Sequence, residues 1–154
     1  MSTADGRAID PRAAEVLDFW FGRPGEAHYL QTREQWFRKD KAFDALFSGL
    51  DKLEARLEGA RYLVGEQITE ADWRLFTTLV RFDAVYYVHF KCNLRRIAEY
   101  PALSRFLREL CRVPGIAETV NMDHIKRHYY LSHRHLNPSG IVPKGPVLDF
   151  LPSG

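Results

Sequence analysis

From Thr69 to Asn93 the chain reads T-E-A-D-W-R-L-F-T-T-L-V-R-F-D-A-V-Y-Y-V-H-F-K-C-N, with neither proline nor glycine. On a helix drawn through it, Trp73, Leu75, Phe76, Leu79, Val80, Phe82, Val85, Tyr86, Tyr87 and Phe90 fall on nearly every side. A helix apolar all round is buried among others rather than laid on a surface. The stretch therefore predicts one long helix at the centre of an all-α bundle. Thr69 and Asp72 form a shortened capping box, with the Thr69 hydroxyl accepting from the Asp72 N–H and the carboxylate reaching back. Ile68 and Trp73 are placed to act as a hydrophobic staple. An unpaired buried charge costs roughly 3–5 kcal/mol, so Arg74, Arg81 and Asp83 are expected to meet in an internal ion network.

Composition narrows the class. The 154 residues carry 22 basic and 20 acidic side chains, for a net charge of +2. Such a balance gives no electrostatic reason to bind nucleic acid or an anionic membrane. No apolar run approaches the roughly 18 residues of a membrane span, and the first residues lack the apolar core of a signal peptide. Cys92 and Cys111 stand in unrelated contexts rather than in a C-x-x-C. A reduced, cytoplasmic protein is the expectation.

The remaining elements follow from breakers and caps. Residues 1–10 read as a disordered tail. Asp10-Pro11 opens a helix that Gly22 stops, with Val16, Leu17, Trp20 and Phe21 on one face. The next helix starts between Thr32 and Asp40, either of which can cap it. It carries Phe43, Leu46, Leu50, Leu53 and Leu57 as a narrow stripe and ends at Gly59. Tyr100-Pro101 starts a further helix, with Leu103, Phe106, Leu107 and Leu110 buried, and Pro114-Gly115 breaks it. A short segment, Ile116–Val120, precedes a last helix from Met122 to His133. Residues 137–154 are too rich in proline and glycine for regular structure. Ile141, Val142, Val147, Leu148 and Phe150 are expected to anchor them along the bundle.

His124, His128, His133, Tyr129 and Tyr130 form the densest group of chemically capable side chains. His124 and His128 share a helix face and have the spacing of metal ligands. No Glu or Asp completes an H-E-x-x-H pattern, so a metal site is not expected and the histidines are read as hydrogen-bonding the bundle and its tail. Cys92 has Lys91 beside it, yet a helix C-terminus opposes a thiolate. It is read as inert, as is Cys111.

Four segments carry a resemblance. Tyr62–Asn93, Y-P-A-L at Tyr100–Leu103, T-V-N-M-D-H-I-K-R-H-Y-Y-L-S-H at Thr119–His133 and N-P-S-G-I-V-P-K-G-P at Asn137–Pro146 resemble the C-terminal domain of glutathionyl-hydroquinone reductases, the xi class of glutathione transferases. The likeness runs from about Phe47 to Pro146. It implies a transferase-type helical bundle over residues 47–136 with residues 137–154 packed on it. Residues 11–46, with A-E-V-L-D-F-W-F-G and W-F-R-K-D-K-A-F-D, instead resemble the opening of an uncharacterised all-α bacterial family, which implies a fusion. Phe19, Trp20, Phe21, Trp36 and Phe37 are expected to cover the face that another domain otherwise covers.

The resemblance assigns Tyr129 to a pocket for the electrophile, where its hydroxyl bonds a hydroquinone; Tyr130, His128 and His133 are grouped with it as substrate-binding. Thr69 and Asp72 match the family's structural cap. No catalytic residue is assigned, because the family's thioredoxin-like domain, with its nucleophilic cysteine and glutathione site, has no counterpart in these residues. The expected function is thus a non-catalytic binding or dimerisation module, a homodimer with a phenol or quinone ligand. It needs no cofactor, and glutathione enters only if another chain supplies the missing domain. The alternative is a glutathione-dependent reductase acting on glutathionyl-hydroquinones.

Overall fold

The computed structural model describes residues 39–150, and among these every regular element is helical. The expectations for residues 1–38 lie outside the described residues. So do the Thr32 cap, the aromatic group from Phe19 to Phe37 and the last four residues. The chain forms two compact units, one up to Leu75 and the other from Phe76 on.

In the first unit, helix α1 spans Lys39–Glu58. Asp40 lies inside it and is not its cap. Leu50, Leu53 and Leu57 are buried as the stripe predicts, and Phe47 joins them. Gly59 follows directly, and the chain turns through Tyr62 and Leu63, both buried. Gly65, at φ +72°, supplies the left-handed residue that this turn requires. The Leu63 peptide is held at both ends: its N–H donates to Asp72 Oδ1 at 2.8 Å, and its carbonyl accepts from Arg56 Nε at 2.7 Å.

Helix α2 spans Glu70–Arg81. Asp72 is fully buried at its start. Its carboxylate does reach back to the Thr69 N–H, at 2.7 Å, but the rest of the box differs from expectation. The Thr69 hydroxyl donates to the same carboxylate oxygen, and the Asp72 N–H goes to the Thr69 backbone carbonyl. With two close carboxylate acceptors available, the hydroxyl gains a charge-assisted bond that a backbone N–H cannot offer it.

In the second unit the expected single helix to Asn93 does not persist. After Arg81 the backbone widens into a π turn, Phe82–Tyr86, whose i→i+5 closure joins the Tyr87 N–H to the Phe82 carbonyl at 2.9 Å. The helical path ends in turns before Lys91, which sits at φ +61°. A π turn holds one more residue than an α turn, so the face presented by Val85 and beyond slips by one position. Burial is nonetheless as the apolar circumference predicts: from Ala71 to Val85 only Thr77 is exposed.

Among the described residues, Arg74, Arg81 and Asp83 do not meet in the expected ion network. Arg74 pairs with Glu70 one turn back on the surface, and Arg81 Nη1 donates to the Thr77 carbonyl. Asp83 is buried and accepts from the Ile97 and Ala98 N–H groups at 2.6 and 3.2 Å. It thereby caps the short 3₁₀ turn Ile97–Glu99. Burial raises its pKa, opposed by those two backbone bonds and by Arg96. Each charge has found its own local or backbone partner, which costs less than gathering three charges in one dry place.

Helix α3, Pro101–Cys111, has proline at its first position and buries Leu103, Phe106, Leu107 and Leu110. A short α4, Ile116–Thr119, follows the break at Gly115, and α5 runs Met122–Ser132. Residues from Asn137 to Phe150 have no regular structure. Much of the expected anchoring occurs. Val142 is half-buried against the Ala84–Val85–Tyr130 cluster, and Leu148 and Phe150 are half-buried near Ile97 and Leu107, whereas Ile141 and Val147 stand exposed.

Candidate functional site: an aromatic and histidine wall

The π turn and helix α5 bring the chemically capable residues together. Ala84, Val85 and Tyr130 form a buried cluster, and Tyr86, Phe90, Met122, Ile125, Tyr129 and Val142 pack around it. Aromatic pairs of this kind prefer edge-to-face geometry, the positive ring edge against the negative face. The Phe90 and Tyr129 rings meet at 5.8 Å and 88°, and Tyr129 meets His133 at 5.7 Å and 77°. His128 lies at the exposed edge, 5.1 Å from the Tyr129 ring.

Of the four residues assigned to substrate, Tyr129, Tyr130 and His133 are in the wall and His128 borders it. Their surroundings differ. Tyr130 is buried, its hydroxyl donates to the Ala84 carbonyl at 3.1 Å, and burial pushes its pKa up to about 12. It ties α5 to the π turn. Tyr129 is half-buried with its ring in the wall. His124 lies apart: it is exposed, and its N–H is capped by the Asn121 side chain at 2.9 Å. Among the described residues, no group of three or more His, Cys, Asp or Glu is arranged to hold a metal.

Residue-level reasoning overlooked His89. It is buried at 5% exposure, lies edge-on to Tyr130 at 4.7 Å, and its Nε2 is 3.1 Å from His133 Nδ1. One ring nitrogen donates and the other accepts. Burial, reinforced by positive charge on His133, Lys91 and His135, lowers the His89 pKa to about 4. Burial and the neighbouring His135 and His128 lower that of His133 as well. His89 is therefore neutral at pH 7. The clue in the sequence was a lone histidine in an otherwise apolar run.

The two cysteines sit in different settings. Cys111 is buried, and burial raises its pKa to about 11. Cys92 is half-buried behind the π turn: its N–H donates to the Tyr86 carbonyl at 2.9 Å and its Sγ lies 3.9 Å from the Phe90 carbonyl.

Known proteins place this arrangement in a family. Residues 31–109 match the family described as glutathione S-transferase, C-terminal domain. The chain is 51% identical over 139 residues to glutathionyl-hydroquinone reductase PcpF of Sphingobium chlorophenolicum, covering 90% of this chain and 42% of PcpF. To glutathionyl-hydroquinone reductase YqjG of Escherichia coli it is 54% identical over 110 residues, covering 71% of this chain and 34% of YqjG. The glutathione-bound structure of YqjG aligns with a TM-score of 0.79 at 44% identity, over 90% of this chain and 45% of that one. The Xi glutathione transferase of Phanerochaete chrysosporium gives 0.77 at 43%, over 90% and 45%. The chain thus spans less than half the length of these relatives. The PcpF match leaves too little of the chain unaligned to exclude residues 11–46, so it reaches into the stretch expected to be of separate origin. This chain belongs to the glutathione S-transferase C-terminal domain family, with strong homology to the xi-class glutathionyl-hydroquinone reductases.

Proposed function

We propose that these residues form the ring-binding and dimerising helical module of a xi-class protein, and that they do not themselves carry the thiol chemistry. The observation behind this reading is the contrast between a built aromatic wall and the buried, protonated thiol of Cys111. Phe90, Tyr129 and His133 present faces and edges suited to a phenol or quinone ring. A neutral His89 behind them adds polarity without the desolvation cost of a charge. Cys111 at a pKa of about 11 is almost wholly protonated near neutrality, and among the described residues nothing positive acts to lower it.

In this mechanism Tyr129 bonds a ring hydroxyl or carbonyl, Phe90 and His133 hold the ring edgewise, and Tyr130 keeps α5 in register with the π turn. Glutathione is a substrate held outside these residues. Two free cysteines suit a reducing cytoplasm, and among the described residues no helix is long and apolar enough to cross a membrane. Association of two copies is the second part of the proposal; a monomeric mass by light scattering at tens of micromolar contradicts that part.

Calorimetric titration with methylhydroquinone tests the wall. Binding should weaken about fivefold in Tyr129→Phe, the loss of roughly one hydrogen bond. No binding at millimolar ligand, or binding indifferent to Tyr129→Phe, refutes it. A second reading is favoured by the similarity to PcpF and YqjG: a glutathione-dependent reductase acting on glutathionyl-hydroquinones, the reaction for which those relatives are named.

A further inference from the structure

The irregular segment after α5 folds back along that helix and is tied to it at two places. Near the helix end, the Asn137 side-chain amide donates to the Tyr130 and Ile141 carbonyls at 2.9 and 3.0 Å. Gly140, at φ +66°, turns the strap beside Leu131. Further back, the Lys126 ammonium donates to three consecutive carbonyls, those of Pro143, Lys144 and Gly145, at 3.0, 2.9 and 3.3 Å. An ammonium has three N–H groups, and these use all of them on the strap. Between the two ties, Val142 packs into the cluster on which Tyr129 and Phe90 also pack. Lys126 lies one turn before Tyr129 and Tyr130 on the same helix.

This arrangement is unusual for a lysine. Lysine carries a mobile, strongly hydrated charge on a long stem, and ordering it costs rotamer entropy of about 1.5–2 kcal/mol. Here it is half-buried and spent on backbone that has no other regular partner. We propose that Lys126 is a positioning residue of the aromatic wall: it pins the strap, keeps Val142 in the cluster and so fixes the setting of the Tyr129 ring. It does not touch the ring ligand itself. The proposal rests on the reading of that wall as a ring site, and the test separates the two.

The 154-residue chain is labelled with 3-fluorotyrosine, and the Tyr129 resonance is assigned by its loss in Tyr129→Phe. Lys126→Met keeps the aliphatic stem and removes the charge and donors; Lys126→Arg keeps both. In Lys126→Met, with native circular dichroism, the Tyr129 resonance should shift or broaden. Affinity for methylhydroquinone should fall about five- to tenfold, a change on the order of one hydrogen bond. Lys126→Arg should restore the resonance and keep affinity within about twofold. A shifted resonance with no probe binding in any form leaves the positioning role standing and removes the ring-site reading. An unchanged Tyr129 resonance in folded Lys126→Met, or no restoration by arginine, overturns the proposal whatever the probe does. Should Lys126→Met not fold, Lys126→Gln is read by the same criteria.

Discussion

Replacing Asp72 by alanine should destabilise the chain by much more than a helix cap alone suggests. A capping residue contributes about 1 kcal/mol. Here the same carboxylate, fully buried, accepts from the Thr69 N–H, the Thr69 hydroxyl and the Leu63 N–H. Leu63 is itself 1% exposed, so its N–H finds no water when the acceptor goes. A buried donor left unsatisfied costs about 1–3 kcal/mol. Together these give about 3 kcal/mol for Asp72→Ala. Asp72→Asn keeps an oxygen for Leu63 but turns an amide NH₂ toward the Thr69 N–H, and about 2 kcal/mol is expected. Thr69→Ala removes one part-buried bond and should cost about 1 kcal/mol or less. Urea unfolding followed by circular dichroism orders the three. If Asp72→Ala costs no more than Thr69→Ala, the carboxylate does not bridge the Leu63 turn to α2 and the reasoning fails.

Acidification should weaken the second unit. His89 is held near pKa 4 when folded and returns to about 6.5 when unfolded. Between these values the unfolded chain binds the extra proton, so stability is fully present above about pH 6.5 and is lost as pH falls toward 4. The shift amounts to about 3 kcal/mol at most, His133 acts in the same direction, and His89→Phe should flatten the curve measured by thermal unfolding across pH 4–7. Alkylation with iodoacetamide at pH 8 should leave Cys111 unmodified while the chain stays folded and should label half-buried Cys92 first. Equal rates at the two thiols contradict the burial argument.

The features that could be read from residues alone were those with local causes. Pro101 bounds its helix because its φ restriction acts within one residue, and Gly59 directly follows the last residue of α1. Burial of the stretch after Thr69 followed from its apolar circumference. Its interruption at Phe82 did not, because a π turn leaves no mark in an apolar pattern that is already continuous. The Glu70–Arg74 pair was available from its i,i+4 spacing and should have displaced the supposed network. Asp83 was different: its partners are backbone groups of Ile97 and Ala98, and main-chain donors are the same in every residue. The wall was half visible. Tyr129, Tyr130 and His133 recur along one helix, whereas their link to His89 spans distant positions that only folding brings together.

The central claim is that these residues hold an aromatic ring but supply no nucleophile. Steady-state assay of the 154-residue chain with glutathione and a glutathionyl-hydroquinone tests it most directly. Correct placement of the reacting thiol is worth ~7–11 kcal/mol of barrier, and nothing among the described residues is assigned to hold glutathione. Methylhydroquinone should bind the ring site, and the chain should show no turnover above the uncatalysed rate. Turnover that disappears in Cys92→Ser contradicts it and makes Cys92 the catalytic thiol.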